Sequence, residues 1–385
     1  MSLLHWVWLG LAITPGSPVI EDILRRYPDP EEFFLGGESA MNEIRSLKDT
    51  HRLRLRATTL EMAKNAVSRA ESISAAILSR DDPRFPKRLL SIPNPPVVLY
   101  VLGDLSCLDG DKPAIGVVGT RQMSDYGEQM ATAIGGGLAA AGALVISGMA
   151  KGIDSASQTA CIENGGKTVA VQGCGICNVY PPENADLKAR IIENGAVISE
   201  FAPDAEPQSS FFLIRNRLVS GLSLGVCVIE AASRSGTSVT ASLAREQGRD
   251  VFAVPADLSR PTAQGTFHLL QNGAIPVSSA ADILQRYAEN YPELDLSKLK
   301  KRSRTLPKAP AKQPAKSVTP KKKAAPAGLS PAAAALYGFI DQEPRSADEL
   351  SEKAGLSASQ AAAALTELEI YSLIKPVSGR RFVAG

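Results

Sequence analysis

Ala114-Ile115-Gly116-Val117-Val118-Gly119-Thr120-Arg121 is the stretch that decides the fold: a short apolar run of strand length that breaks at a glycine into polar residues, with Ser124 placed to cap a following helix. The same cadence returns at Ala143–Ile146, Thr168–Val171, Ala196–Ser199, Gly225–Ile229 and Asp250–Val254, and helical stretches separate most of these runs. Runs that are apolar throughout, rather than alternating, belong to strands buried on both faces. Their regular interruption by helices predicts an α/β fold with an extended Rossmann-like, doubly wound, mostly parallel sheet. Each run ends in Gly, Ser, Glu or Pro, so the polar and flexible residues gather at the carboxyl edge, where such sheets bind ligands.

Outward from this core, residues 1–75 read as a small helical domain: an apolar start at Trp6–Ile13, a break at Thr14-Pro15-Gly16-Ser17-Pro18, then Ile20–Tyr27 and a longer helical run from Glu43 to Ala70. Five prolines between Asp81 and Asp104 mark a connector that enters the sheet through Val97–Leu102, so the Rossmann-like domain is taken as 81–287. Residues 298–327 are rich in Lys, Pro and Ala and cannot bury a core, which predicts a disordered linker. Residues 329–385 follow in winged-helix order. Helices are expected at Pro331–Asp341, Ala347–Ala354 and Ser359–Leu368, and two short strands flank Ser378-Gly379; Gly355 ends the second helix and Ser357 caps the third.

The 385 residues suffice for two or three domains, and 44% hydrophobic with 21% charged residues is ordinary globular composition. Neither a leader pattern at the start nor an apolar stretch of membrane-spanning length is found, so a cytoplasmic protein is expected. The five cysteines fit no framework spacing and are expected as reduced thiols. Cys174 and Cys177 form a C-x-x-C pair, but the histidines His5, His51 and His268 are far off in sequence. No metal and no cofactor are therefore expected, and packing in a tight turn is the simpler role for the pair. The net charge of +2 conceals an asymmetry: Lys298–Lys323 holds 11 basic and no acidic residues, leaving 31 basic against 40 acidic residues elsewhere. Such a segment serves either as a tether for polyanions or as a solvated spacer, and composition does not choose between them.

The loops carry the chemistry. Gly119-Thr120-Arg121 offers backbone N–H groups at a helix start together with a cation, a combination suited to phosphate; the spacing is not that of a dinucleotide fingerprint, which disfavours NAD. Ser147-Gly148-Met149-Ala150-Lys151-Gly152-Ile153-Asp154 repeats the arrangement, with Asp154 able to hold the loop from within. Gly173-Cys174-Gly175 makes a third turn, followed by Tyr180, a candidate base-stacking residue, and by Asn184. Phe211-Phe212-Leu213-Ile214-Arg215-Asn216-Arg217 places two cations, an amide and two aromatics within two helical turns, a set suited to a single strand. Its competing reading puts the phenylalanines in the core and the arginines on Glu200 or Glu230. Ser235-Gly236-Thr237 opens another helix as an anion site. Glu230 has no histidine partner and no second acid at obvious spacing, so it is expected to order loop N–H groups or an arginine rather than to act in catalysis.

Taken in order, Gly119-Thr120-Arg121, Ser147-Gly148 to Asp154, Gly173-x-Gly175 with Tyr180-Pro181 and Asn184, Ser199-Glu200, Phe212-x-x-Arg215-Asn216-Arg217, Glu230-Ala231 with Ser235-Gly236-Thr237, and Gly248-Arg249 with Val251–Pro255 resemble the DNA-processing protein A (DprA, or Smf) family. The resemblance spans residues 81–285. It implies a Rossmann-like domain, often preceded by a SAM-like helical domain and sometimes followed by a winged helix. It further implies binding of incoming single-stranded DNA in natural transformation, a homodimer, loading of the RecA recombinase, and no catalytic turnover. Its basic pocket corresponds here to Arg121, Arg215, Asn216 and Arg217, with both Arg121 and Arg215 expected to face solvent. The chain departs from the family pattern at Leu213, where proline is usual, at Ala256, where glycine is usual, and at Phe267, where the pattern has asparagine.

Two other readings compete. A nucleotide-processing enzyme related to phosphoribohydrolases would use Glu230 and Thr237, but Ala232-Ser233-Arg234-Ser235-Gly236-Thr237 stands where that family has its glycine-rich loop. A duplex-DNA regulator would read the groove with Ser359–Leu368, a helix without Lys or Arg; Arg380 and Arg381 in the wing could touch a backbone, but partner binding or docking within the chain suits this unit at least as well.

Overall fold

The computed structural model describes residues 2–110, 112–233, 235–300, 328–340, 345–377 and 381–384. Residues 301–327 of the expected linker, the Ser378-Gly379 turn and Arg380 lie outside them. The chain divides into two compact units, Met1–Pro307 and Lys308–Gly385.

In the first unit five helices come first: α1 (Leu3–Ala12), α2 (Val19–Arg26), α3 (Pro30–Glu43), α4 (Asp49–Ala57) and α5 (Leu60–Glu71). The expected single run from Glu43 to Ala70 is therefore broken. Ile44 and Thr58 are extended, and the Thr59 side chain accepts from Met62 N to start α5 afresh. Strand β1 (Ala76–Ser79), the short helix α6 (Lys87–Leu90) and β2 (Val98–Gly103) lead into the repeating part. This runs β3 (Ala114–Val118), α7 (Asp125–Ala140), β4 (Leu144–Ser147), α8 (Ile153–Glu163), β5 (Thr168–Val171), α9 (Ala185–Asn194), β6 (Gly195–Ser199), α10 (Ser209–Leu222), β7 (Gly225–Val228), α11 (Gly236–Glu246) and β8 (Asp250–Ala253). It closes with α12 (Gln264–Gln271), β9 (Ile275–Pro276), α13 (Ala280–Leu284) and α14 (Ser297–Lys300).

The nine strands form one sheet in the order β1-β2-β6-β5-β4-β3-β7-β8-β9. It is parallel from β6 to β9, and β1 and β2 extend it antiparallel at one edge. The order reverses at β3. The chain moves outward through β4, β5 and β6, then returns to place β7 on the other side of β3, so the loops after β3 and β7 part at a switch point. Helices α7 and α8 bury Met130, Ile134, Leu138 and Ile153 on one face, while α10 and α11 bury Leu218, Leu222, Ala241 and Ala244 on the other. Fully burying one such Leu or Ile side chain contributes about 2 kcal/mol.

The N-terminal helices do not keep a separate core. Trp6, Leu9, Ile13, Ile20 and Phe33 share one apolar cluster with Val97, Val98 and Tyr100, with Leu187 and Ile191 of α9, and with Val197 of β6. They are packed against the sheet edge by the same apolar burial that holds the sheet together.

The second unit contains α15 (Pro331–Tyr337), β10 (Arg345–Ser346), α16 (Ala347–Ala354), α17 (Ala358–Ile370), β11 (Ile374–Val377) and β12 (Arg381–Ala384), with the antiparallel order β10-β12-β11. Leu336, Ile340, Leu350, Leu365 and Leu368 form its core. Gly355 is left-handed at φ 65° and ends α16, and Ser357 caps α17 in a capping box with Gln360. Among the described residues no helix is long and apolar enough to cross a membrane.

Candidate nucleic-acid interface

Strands β3, β4 and β5 deliver three loops to one side of the switch point, and α10 passes beneath them. Together they enclose a cavity of about 250 Å³ that receives Arg121, Lys151, Tyr180, Phe212 and Arg215. Ala150 and Pro181, quoted above only as parts of loop motifs, also line it, as does Gln122, which sequence reasoning missed and which only its adjacency to Arg121 could have marked.

The walls are backbone where side chains would not fit. A Cβ on Gly148 would fall 2.2 Å from Arg215 Nη1, and one on Gly173 would fall 2.5 Å from the Phe212 ring. These glycines make room for the two α10 side chains. Gly152, at φ 90°, lies against the Thr120 carbonyl and lets the β4 loop approach the β3 loop.

Arg121 is exposed, and its guanidinium stands 5.5 Å over the Phe212 ring, within cation–π range. Phe212 also meets Tyr180 at 5.0 Å between ring centroids. Lys151 is exposed at the rim. Arg215 differs from the expectation that it faces solvent, for it is 5% exposed. Its Nη1 donates to the Val171 carbonyl, while its Nε has no hydrogen-bond partner among the described residues. Burial lowers its pKa from the ordinary guanidinium value, opposed by the nearby Asp154. Asp154 is itself pushed upward by burial; Arg215 and the N–H groups of Ala150 and Gly148 pull the other way. The cavity therefore offers a buried guanidinium edge, two exposed cations and two aromatic rings, which suits a phosphate beside an unpaired base.

Other expected residues support the site without lining it. Gly148 N donates to Asp154 Oδ2 at 3.1 Å, and Asn184 Nδ2 donates to the carbonyl of Met149, which sits at φ 54°. Ser147 is buried with its hydroxyl on the Val117 carbonyl at 2.6 Å. Gly119 is pressed against Ile153, and Thr120 N donates to the Glu230 carbonyl. Gly175 faces away from the cavity, packed against the Pro203 and Ala202 carbonyls. Its turn is closed by the Lys188 ammonium, which donates to the carbonyls of Ile176 and Asn178.

The Arg215-Asn216-Arg217 triplet is not one site. At about 100° per residue, neighbours on a helix point in separate directions. Asn216 Nδ2 donates to the Gly236 carbonyl at 3.2 Å, beside the start of α11 where Ser235 is the cap and Thr237 is buried. Arg217 is 6% exposed and turned away from the cavity, in a bidentate pair with Glu200 at 2.8 and 2.6 Å. Phe211 likewise stacks on Phe201 at 4.2 Å. Half-buried Phe211 and buried Arg217 are thus engaged by Phe201 and Glu200, whereas Phe212 and Arg215 line the cavity.

Glu230 is fully buried at the switch point. It accepts from Ser124 N at 3.0 Å, Ser124 Oγ at 2.6 Å and Thr262 Oγ1 at 3.2 Å. Its carboxylate ties down the start of α7, filling the crevice where doubly wound sheets hold nucleotides; Gly127 has no Cβ because that carboxylate lies 2.2 Å from where it would be.

Residues 76–288 match the family model described as DNA recombination-mediator protein A, and residues 320–380 match the DprA winged helix domain. Protein Smf of Synechocystis sp. is 33% identical over 322 residues, 79% of each chain. Among solved structures, DNA processing protein A from Streptococcus pneumoniae superposes with a TM-score of 0.65 at 29% identity, over 74% of this chain and 98% of that one. DNA processing protein A from Helicobacter pylori, whose structure describes a single-stranded DNA binding mode, superposes with a TM-score of 0.51 at 29% identity, over 57% of this chain and 97% of that one. With the matched model covering more than half of its length, and a cation-and-aromatic groove where the matched loops meet, the chain belongs to the DNA recombination-mediator protein A family.

Proposed function

We propose that this protein binds and protects single-stranded DNA in the groove above α10 and loads the RecA recombinase onto that DNA during DNA uptake and recombination in the cytoplasm, acting as a homodimer and without catalytic turnover. The observation that carries the reading is the placement of Arg121 over Phe212 with Lys151 and Arg215 in the same cavity. Cations there meet phosphates irrespective of sequence, and the rings stack on any base that is not already stacked in a duplex. Among the named residues, Arg121, Lys151 and Arg215 contact phosphate, while Phe212 and Tyr180 contact a base. RecA and the dimer rest on family membership. Residues 1–75, 81–287, 298–327 and 329–385 serve respectively as helical support, DNA-binding domain, linker and accessory winged helix.

The enzymatic alternative asks Glu230 to act on a ligand, yet its oxygens are engaged by Ser124 and Thr262. The test is fluorescence anisotropy of a labelled poly-dT oligonucleotide against a duplex of equal length over a salt series. Tighter binding of the single strand, with a log–log slope of about −0.7 for each phosphate contacted, supports the reading. Equal binding of both, or nucleotide hydrolysis by the purified protein, overturns it. A shortened lag in RecA filament formation on that oligonucleotide tests the loading step.

A further inference from the structure

The family pattern groups Arg217 with the DNA-contacting residues, but its surroundings give it another task. Arg217 and Glu200 are both almost fully buried, with side chains 8% and 3% exposed. The pair joins α10 to the end of β6. On its outer side lies the hairpin between α1 and α2: a Cβ on Gly16, which adopts φ 75°, would fall 3.2 Å from Arg217 Nε and 3.3 Å from Ile214. A side chain there would adopt a strained backbone conformation and would have to push Arg217 or Ile214 aside by a few tenths of an ångström. Next along stands Arg80, close enough to interact electrostatically with both Arg217 and Glu200. It pairs with Glu21 of α2 at 2.7 Å and donates to the Pro96 carbonyl at 2.9 Å. Four charges of alternating sign, Glu21, Arg80, Glu200 and Arg217, thus cross the boundary between the N-terminal helices and α10.

This chain of charges ends on the helix that carries the groove. Arg215 and Phe212 lie two and five residues before Arg217, so rotating α10 to bring Arg217 toward the groove would carry Arg215 out of it. We propose that Arg217 is a positioning residue: its pair with Glu200, sealed by the Gly16 hairpin, fixes the rotation of α10 that aims Arg215 and Phe212 into the groove. The N-terminal helices thereby set single-strand affinity without touching the DNA. This inference rests on the groove being the DNA site.

The test uses the full chain, poly-dT anisotropy over a salt series, and thermal unfolding to confirm that each variant is folded at the assay temperature. Arg217→Met alone leaves Glu200 buried without its partner and lowers affinity by about tenfold or more. Arg217→Met combined with Glu200→Met replaces the pair with apolar side chains and restores affinity to within about threefold, with the wild-type salt slope. Gly16→Val lowers affinity through the hairpin and likewise leaves the slope unchanged. A double variant as weak as the single one, with the slope reduced by about 0.7, would show Arg217 on a phosphate and overturn the proposal. Unchanged affinity in folded Arg217→Met would overturn it too, as a role in stability alone predicts. Arg121→Ala, run alongside, separates the two levels: if it leaves binding intact, the groove assignment fails, whatever Arg217 does.

Discussion

The groove above α10 and helix α17 of the winged-helix unit are both places where a fold of this type meets nucleic acid, and they are built from opposite materials. In the groove, Arg121, Lys151 and Arg215 surround Phe212 and Tyr180. Helix α17 carries no Lys or Arg. Its exposed side presents Ala362, Ala363, Thr366 and Glu369, and it ends in exposed Ile370 and Tyr371. A recognition helix must first neutralise phosphates, and one bearing only acids among its charged residues repels them. Fold type therefore does not settle function here; the side chains on the candidate surface do.

That contrast is broken or sharpened most strongly by Arg215→Met. Because Arg215 is buried beside Asp154, its loss leaves a carboxylate buried without its counter-charge. The expected cost is about 3 kcal/mol of stability, read as a lower midpoint in denaturant, together with severe loss of single-strand binding. A variant of wild-type stability would mean that the guanidinium is solvated and the groove is shallower than described. Phe212→Ala comes next: removing one stacking face costs about 1–3 kcal/mol of oligonucleotide affinity and leaves the salt slope where it was. Arg121→Ala, on an exposed residue, should reduce the slope by about 0.7 with little change in unfolding midpoint. The smallest effect belongs to Ile370→Ser on α17. Stability should change by no more than about 0.5 kcal/mol, and neither single-strand nor duplex affinity should move. Loss of duplex binding in that variant would restore the winged helix as a DNA reader.

Much of the fold was legible because its signals are local. The apolar runs that became β3 to β8, the caps Ser124, Ser235 and Ser357, and the left-handed stop at Gly355 each depend on residues within a turn or two. Strand β1 escaped notice because Ala76–Ser79 is a four-residue edge strand defined only by pairing with β2. The breaks before α4 and α5 were hidden because a helical pattern on both sides of a two- to five-residue gap reads as continuous. The candidate site was legible as a set of loops at one sheet edge, along with the loop-ordering role of Glu230 and the internal anchor Asp154.

What the sequence by itself determined about this protein is its alternation of strand and helix, the edge where its polar loops gather, and the family those loops identify. Tertiary structure alone decided which neighbours in a motif share a destination. Arg215 turns to the Val171 carbonyl, Asn216 to α11 and Arg217 to Glu200. The reason is physical. Periodicity is written into the chain at short range, but the absolute rotation of α10 is set by contacts with Gly16, Gly148, Gly173 and Glu200, which come from four distant segments and meet only when the chain has folded.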